Sequence, residues 1–356
     1  MFNVELVNRT PFAALTHVQM DRDGQDLLLA VLCATFSAAS DDAPLTLAAE
    51  QAPVRYLDEP HGDPARSSIA FESDIATHKP RVDVLVKGHA MARGASSVQE
   101  LEVALRVADI HKRLRVTGDR RAEGAPPLPF TRMPIVYERA FGGTSPTGDC
   151  HLLNPVGIGF RGARSADGAV QSAVANIDYL DPREARHGAH TWPGGLGAVA
   201  RQWLPRLPLA GTYDQRWLDT VWPLAPADFN PLFNQAAPAD QQTDRIDGGE
   251  TVEILNMTPS GRWCFRLPVL DVPVHWIRAD EIQTTRWRID TVDIDTDRRQ
   301  VTMKARQAIR MTRQAAPLQS LVMGHVSPAW LKARQQRKPW RPLSGVAPEP
   351  PACFHP

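Results

Sequence analysis

A period of two runs through both ends of this chain and is missing from its middle. In "ELEVALRVAD" the residues Leu101, Val103, Leu105 and Val107 alternate with Glu102, Ala104 and Arg106, the pattern of a strand with one buried face. "KRLRVTGD" reads as its return strand. Similar runs occur at "VELVN", "LLLAVLCATF" and "RVDVLVKGHA", each bounded by Gly, Pro, Asn or Asp. Alternation resumes at "TVEILNM", "RWCFRLP" and "VPVHWIR". It continues through Trp287, Ile289, Val292 and Ile294 into the polar turn "DTDRR" and back through Val301, Met303 and Ala305, which predicts a hairpin. These patterns predict a mainly β fold in which two β-rich parts, 1–122 and 246–318, share a core.

Between them, 123–245 is Pro-, Gly- and Trp-rich. The whole chain carries 31 prolines in 356 residues, well above the usual share of about 5%. Proline fixes φ and removes a donor and glycine permits φ > 0, so this is turn and loop chemistry. A structureless stretch of that length is unusual in a compact domain. Its many aromatic side chains supply the remedy, since each can bury about 150–250 Å². We therefore expect an irregular layer packed on the sheets, with 1–318 as one compact unit. In 319–356, Ser327 is a candidate N-cap and Pro328 a first helical residue, predicting a short helix. Lys332, Arg334, Arg337 and Lys338 make that segment basic, and the proline-rich tail after it should be extended or mobile.

Forty Lys plus Arg balance forty Asp plus Glu, so no overall field draws the protein to nucleic acid or an anionic membrane. No signal peptide is visible, and the longest apolar run, Leu27 to Phe36, is short of the roughly 18 residues of a membrane span. The four cysteines lack zinc-site or redox spacing, and Cys33 and Cys264 sit inside strand patterns as inert thiols. A cytoplasmic protein without membrane insertion is expected.

Catalytic motifs are sparse. His187 and His190 would share one face of a helix, but Gly188, Pro193 and Gly194 weaken a helix there, so they read as turn histidines and not as metal ligands. No G-x-S-x-G elbow and no phosphate-binding glycine loop is present. "PIVYERAF" contains Glu138 and Arg139, which could act as acid and electrophile but show no positioned partner; the plainer reading is a short strand.

More information lies in longer segments: "FESDIATHKPRVDVLVKGHA", "VTGDR", "PFTRMPIVYERAFGG", "NPVGIGF", "GTYDQRW", "PADFNPLFNQAAPADQ" and "GGETVEIL". In this order, from the N-terminus to about residue 270, they resemble the bacterial family DUF2169, a domain of unknown function. Asp74, Lys79 and Asp83 match one family segment, Asp119 and Arg120 a second. Tyr137, Glu138, Arg139, Phe141, Gly142 and Gly143 match the central signature, which Asn154 continues. "VAN", Val174 to Asn176, replaces the usual "LPN", and Arg121 stands where an aromatic is common.

The resemblance implies a gene among type VI secretion genes and a chaperone or adaptor that binds a toxic effector. It would help load that effector onto the trimeric spike (VgrG) or its PAAR tip, with no catalytic residues and no cofactor. Glu138 and Arg139 would then be structural, pairing with Lys79, Asp74, Asp119 or Arg120. Among the rings, Trp192, Trp203, Trp217 and Trp222 are candidate partner anchors. The alternative is a hydrolase that brings Glu138 together with Asp74 or Asp119 in a cleft between the β-rich parts.

Overall fold

The strand Asp26–Ser37 pairs along its full length with Gln300–Arg310, so the two ends of the sequence are joined at the centre of one sheet. The computed structural model describes residues 4–120, 124–145, 148–161, 174–187, 190–311, 316–341 and 353–355. Its largest sheet runs Gln242–Thr243, Val82–Lys87, Ile289–Asp295, Gln300–Arg310, Asp26–Ser37, Ala13–Met20, with Thr46–Leu47 added beside Asp26–Ser37. A five-stranded sheet runs Ile177–Tyr179, Ile110–Thr117, Glu100–Val107, Thr251–Leu255, Arg262–Arg266. A four-stranded sheet runs Glu5–Asn8, Leu318–Met323, Pro273–Arg278, Ile282–Arg286. The fold is mainly β, and every alternating run in the sequence becomes a strand.

Alternation decides what each face of the large sheet touches. Leu28, Leu32 and Phe36, with Val82, Val84, Val292, Ile294, Val301 and Met303, enter one apolar core. Val103, Leu105, Leu114, Ile254 and Trp263 of the five-stranded sheet and Trp276 and Leu321 of the four-stranded sheet complete it. Each large side chain so buried contributes about 1.5–3 kcal/mol. The opposite face carries Asp83, Thr291, Asp293, Thr302, Lys304 and Arg306, and these are buried too. The 48–80 segment and the central irregular layer cover them. Among the described residues no helix is long and apolar enough to cross a membrane.

The predicted helix is α2, Pro328–Gln335, with the Ser327 hydroxyl accepting from the Trp330 amide. At the end of the tail Phe354–His355 is extended and pairs with Val269–Leu270, and the Phe354 ring lies 5.2 Å from that of Phe36. An aromatic residue beside a free strand edge outweighs the proline content preceding it. Arg121 lies outside the described residues.

Candidate functional site

The Tyr-Glu-Arg-Ala-Phe-Gly-Gly segment is not a strand. Tyr137–Arg139 forms one 3-10 turn, after which Phe141–Gly142 pairs in parallel with Ile158–Gly159. The turn sends its charged side chains to different partners. Glu138 accepts from the Ser68 amide and hydroxyl, both at 2.7 Å, whereas Arg139 donates to Asp119 at 2.8 Å and to the Asn176 side-chain oxygen Oδ1 at 3.1 Å. Tyr137 is buried edge-on against Trp203. Asn154, fully buried, donates to the carbonyls of Tyr137 and Phe141. Gly143 has φ +97°, and a Cβ there would lie 2.2 Å from the Gly157 carbonyl oxygen, so both conformation and space require glycine.

Ser68 is 1% exposed, and Glu138→Ala would strip its amide and hydroxyl of their acceptor. That should cost about 1–3 kcal/mol. Arg139→Ala breaks a pair whose carboxylate is 62% exposed, worth no more than about 1 kcal/mol, and leaves a single buried acceptor, the Asn176 side-chain oxygen, without its donor, so it should cost less than Glu138→Ala, which strands two groups. Denaturant midpoints of the two variants test this order; equal losses would contradict it.

Behind the corner, the polar face of the large sheet holds a charge network. Asp74 accepts from Lys304 Nζ at 2.7 Å, Arg306 Nη2 at 3.3 Å and the Arg55 amide at 2.8 Å. Arg306 also pairs with Asp290. Lys79 donates to Asp83 at 2.7 Å and to Glu72 at 3.3 Å, and Asp83 accepts from Gln235 Nε2 and the Ala236 amide, both at 2.8 Å. Glu72 receives Arg206 at 2.5 Å and Arg201 at 3.2 Å, and Lys87 pairs with Asp293 at 2.7 Å. Burial alone would raise the Glu72 carboxyl, but Lys79, Arg206 and Arg201 outweigh it and hold the pKa at about 2. The Asp74 carboxyl is likewise lowered: burial opposes the shift, and Lys304 and Arg306 overcome it. The Cys33 thiol beneath is pushed up to about 12, by burial first and Asp74 second.

Arg206 connects this network to a surface lobe. Its guanidinium binds the carbonyls of Val199 and Phe233 as well as Glu72, and Asn230 donates to the Leu209 carbonyl, closing the neck of 207–232. Inside the lobe, Asp214 caps α1, Gln215–Thr220, and Trp217 donates to the Leu224 carbonyl at 2.9 Å. Tyr213 stacks edge-on against Trp217 at 4.7 Å. α1 buries none of its residues. Of the 12 exposed large apolar side chains among the described residues, five belong to this lobe: Leu207, Tyr213, Leu218, Trp222 and Leu232. Leu224 reaches the turn at Gly24, beyond the exposed Val18 and Met20.

The profile of a bacterial family described as "Uncharacterized protein conserved in bacteria (DUF2169)" matches residues 23–306. The chain belongs to this family. Neither a curated protein nor a solved structure matches it significantly.

In this DUF2169 protein the signature residues cluster by position but divide by task. Tyr137, Phe141, Gly142, Gly143 and Asn154 build the corner, Glu138, Arg139 and Asp119 pin it, and Asp74, Lys79 and Asp83 sit in the buried network. Glu138 therefore does not pair with Lys79 or Asp74, as the sequence suggested. Arg120 exerts its charge on Asp178. The carboxylates named for a hydrolase do not form an open pair: Asp74 is 1% exposed under two cations, while Glu138 and Asp119 have separate partners. His187 and His190 lie on the two strands of a tight hairpin, and their side chains are outside the described residues.

The four tryptophans separate as well. Trp203 is 3% exposed and belongs to the core, which corrects its reading as an anchor. Trp192 is half-buried and lines a cavity of about 440 Å³ with Tyr179 and Asp240. There the buried Lys112 amine donates to Asp240 at 2.9 Å; burial lowers its pKa against the pull of Asp240. Trp217 holds the lobe together, and Trp222, 64% exposed, faces solvent. Leu218 and Met20 carry no periodic signal; only α1 being too short to bury a face could have flagged Leu218.

Proposed function

We propose that this protein is a non-enzymatic chaperone or adaptor that holds a type VI secretion effector, a toxin, in the cytoplasm and helps load it onto the spike (VgrG) or its PAAR tip. The observation that carries this reading is the lobe of 207–232. Five large apolar side chains stand in solvent on a segment whose neck is fixed by a buried arginine. Concentrated exposed apolar surface on a rigid mount is suited to protein recognition, where a few aromatic anchors in a polar rim supply most of the affinity. The resemblance of the signature segments to this family implies the same role.

Co-expression with an effector encoded beside this gene tests it. The pair should co-purify through about 0.5 M salt, because contact through rings is little screened. The double variant Leu218→Ala with Trp222→Ala should lose roughly 2 kcal/mol or more of binding with an unchanged melting temperature. Undiminished co-purification of the double variant would defeat the assignment of the lobe.

A further inference from the structure

A second surface, of different chemistry, lies at the end of α2. A cleft of about 760 Å³ opens between this helix, the edge strand Glu5–Asn8 and its neighbour Leu318–Met323. Trp330 and Trp340 wall it, and Arg334, Arg337 and Lys338 line it against a single carboxylate, Glu5. Arg334 is engaged: it pairs with Glu5 at 2.5 Å, donates to Ser320 at 3.1 Å and lies over the Trp330 ring. Arg337 and Lys338 are exposed and have no carboxylate partner among the described residues. Among the described residues the cleft thus carries two positive charges without a carboxylate partner, in a chain whose formal net charge is zero.

The backbone fixes the point from which each cation projects. The Lys338 amide donates to the Ala333 carbonyl and the Arg337 amide to that of Arg334, the double closure that ends many helices. Arg337 sits at φ +55° in the position glycine usually takes, so a long cation occupies a site where backbone preference asks for the smallest residue. The last turn already contains Lys332 and Arg334 to satisfy the helix terminus, which leaves the pair beyond it free for other contacts.

We infer that this cleft seats an acidic segment of a partner protein, with carboxylates on Arg337 and Lys338 and a neighbouring apolar side chain between the two indoles. Charge complementarity selects the acid, and the indole walls select a peptide over a bare anion. The concave entrance does not suit a flat bilayer. This goes beyond the proposed effector contact, because it uses other residues and predicts the opposite salt response.

Fluorescence anisotropy with a labelled, end-capped peptide of alternating glutamate and leucine tests it. At low salt the peptide should bind, and its glutamine counterpart should bind at least about tenfold more weakly. The variant Arg337→Glu with Lys338→Glu should lose the glutamate peptide and gain a lysine–leucine one. Both side chains are exposed, so circular dichroism should match the parent; should the reversal misfold, Arg337→Gln with Lys338→Gln gives the same loss. Equal binding of the glutamine peptide, an unchanged affinity in the double variant, or tighter binding of a single-stranded oligonucleotide would overturn the inference.

Discussion

Asp74→Ala is expected to remove about 3–5 kcal/mol of folding stability, the usual consequence of leaving buried charge without its partner. Asp74 is the carboxylate on which Lys304, Arg306 and the Arg55 amide converge, and both cations are more than nine-tenths buried. Removing it leaves Arg306 with Asp290 but strands the Lys304 amine. The control is Lys304→Met, which deletes the stranded charge while Asp74 keeps Arg306; it should cost clearly less. Urea midpoints measure both. A loss below about 1 kcal/mol for Asp74→Ala would mean that water reaches this face of the sheet.

Acidification should show the same network from the other side. Glu72 ionises at about 2 in the fold, against an ordinary value of 4.5. A carboxyl lowered by folding stabilises the protein fully above its unfolded pKa, and that contribution disappears as pH falls through the folded one. The window is therefore about pH 4.5 down to 2, and about 3 kcal/mol is at stake. Glu72→Gln cannot ionise, so its stability, lower at neutral pH, should fall less steeply across that window. If parent and variant lose stability with the same slope, Glu72 is not the group responsible.

The strands were legible because alternation of apolar residues reports a buried face wherever it occurs. What alternation does not report is whether the other face meets water. In "RVDVLVKGHA" and "TVDIDTDRRQVTMKAR" the residues Asp83, Lys87, Asp293, Lys304 and Arg306 have the look of a solvated side. All but the partly exposed Lys87 are buried, because Gln235 and Ala236 of the irregular layer donate to Asp83 while Asp74 of the 48–80 segment accepts from Lys304 and Arg306, partners drawn from residues that show no periodicity. The network links positions more than 200 residues apart, such as Asp74 with Lys304, and no local pattern can encode such a pairing. The corner was legible as a motif but not as a shape: its helical turn sends Glu138 and Arg139 to Ser68 and Asp119, whereas a strand would only have set them on opposite faces. Of the tryptophans, the sequence could offer four equals, while packing made Trp203 core and Trp222 surface.

The pairing of Asp26–Ser37 with Gln300–Arg310 also sets a schedule for synthesis. Phe36 meets Val301, so about 265 residues separate one strand from its neighbour. At about 5–20 residues per second, the ribosome takes roughly 13–53 s to deliver that neighbour. Throughout this interval the most apolar strand in the chain has Ala13–Met20 on one edge and nothing permanent on the other. A nascent chain in that state offers a ready template for strand pairing with other copies. The first hairpin of this protein therefore needs shelter of its own for tens of seconds.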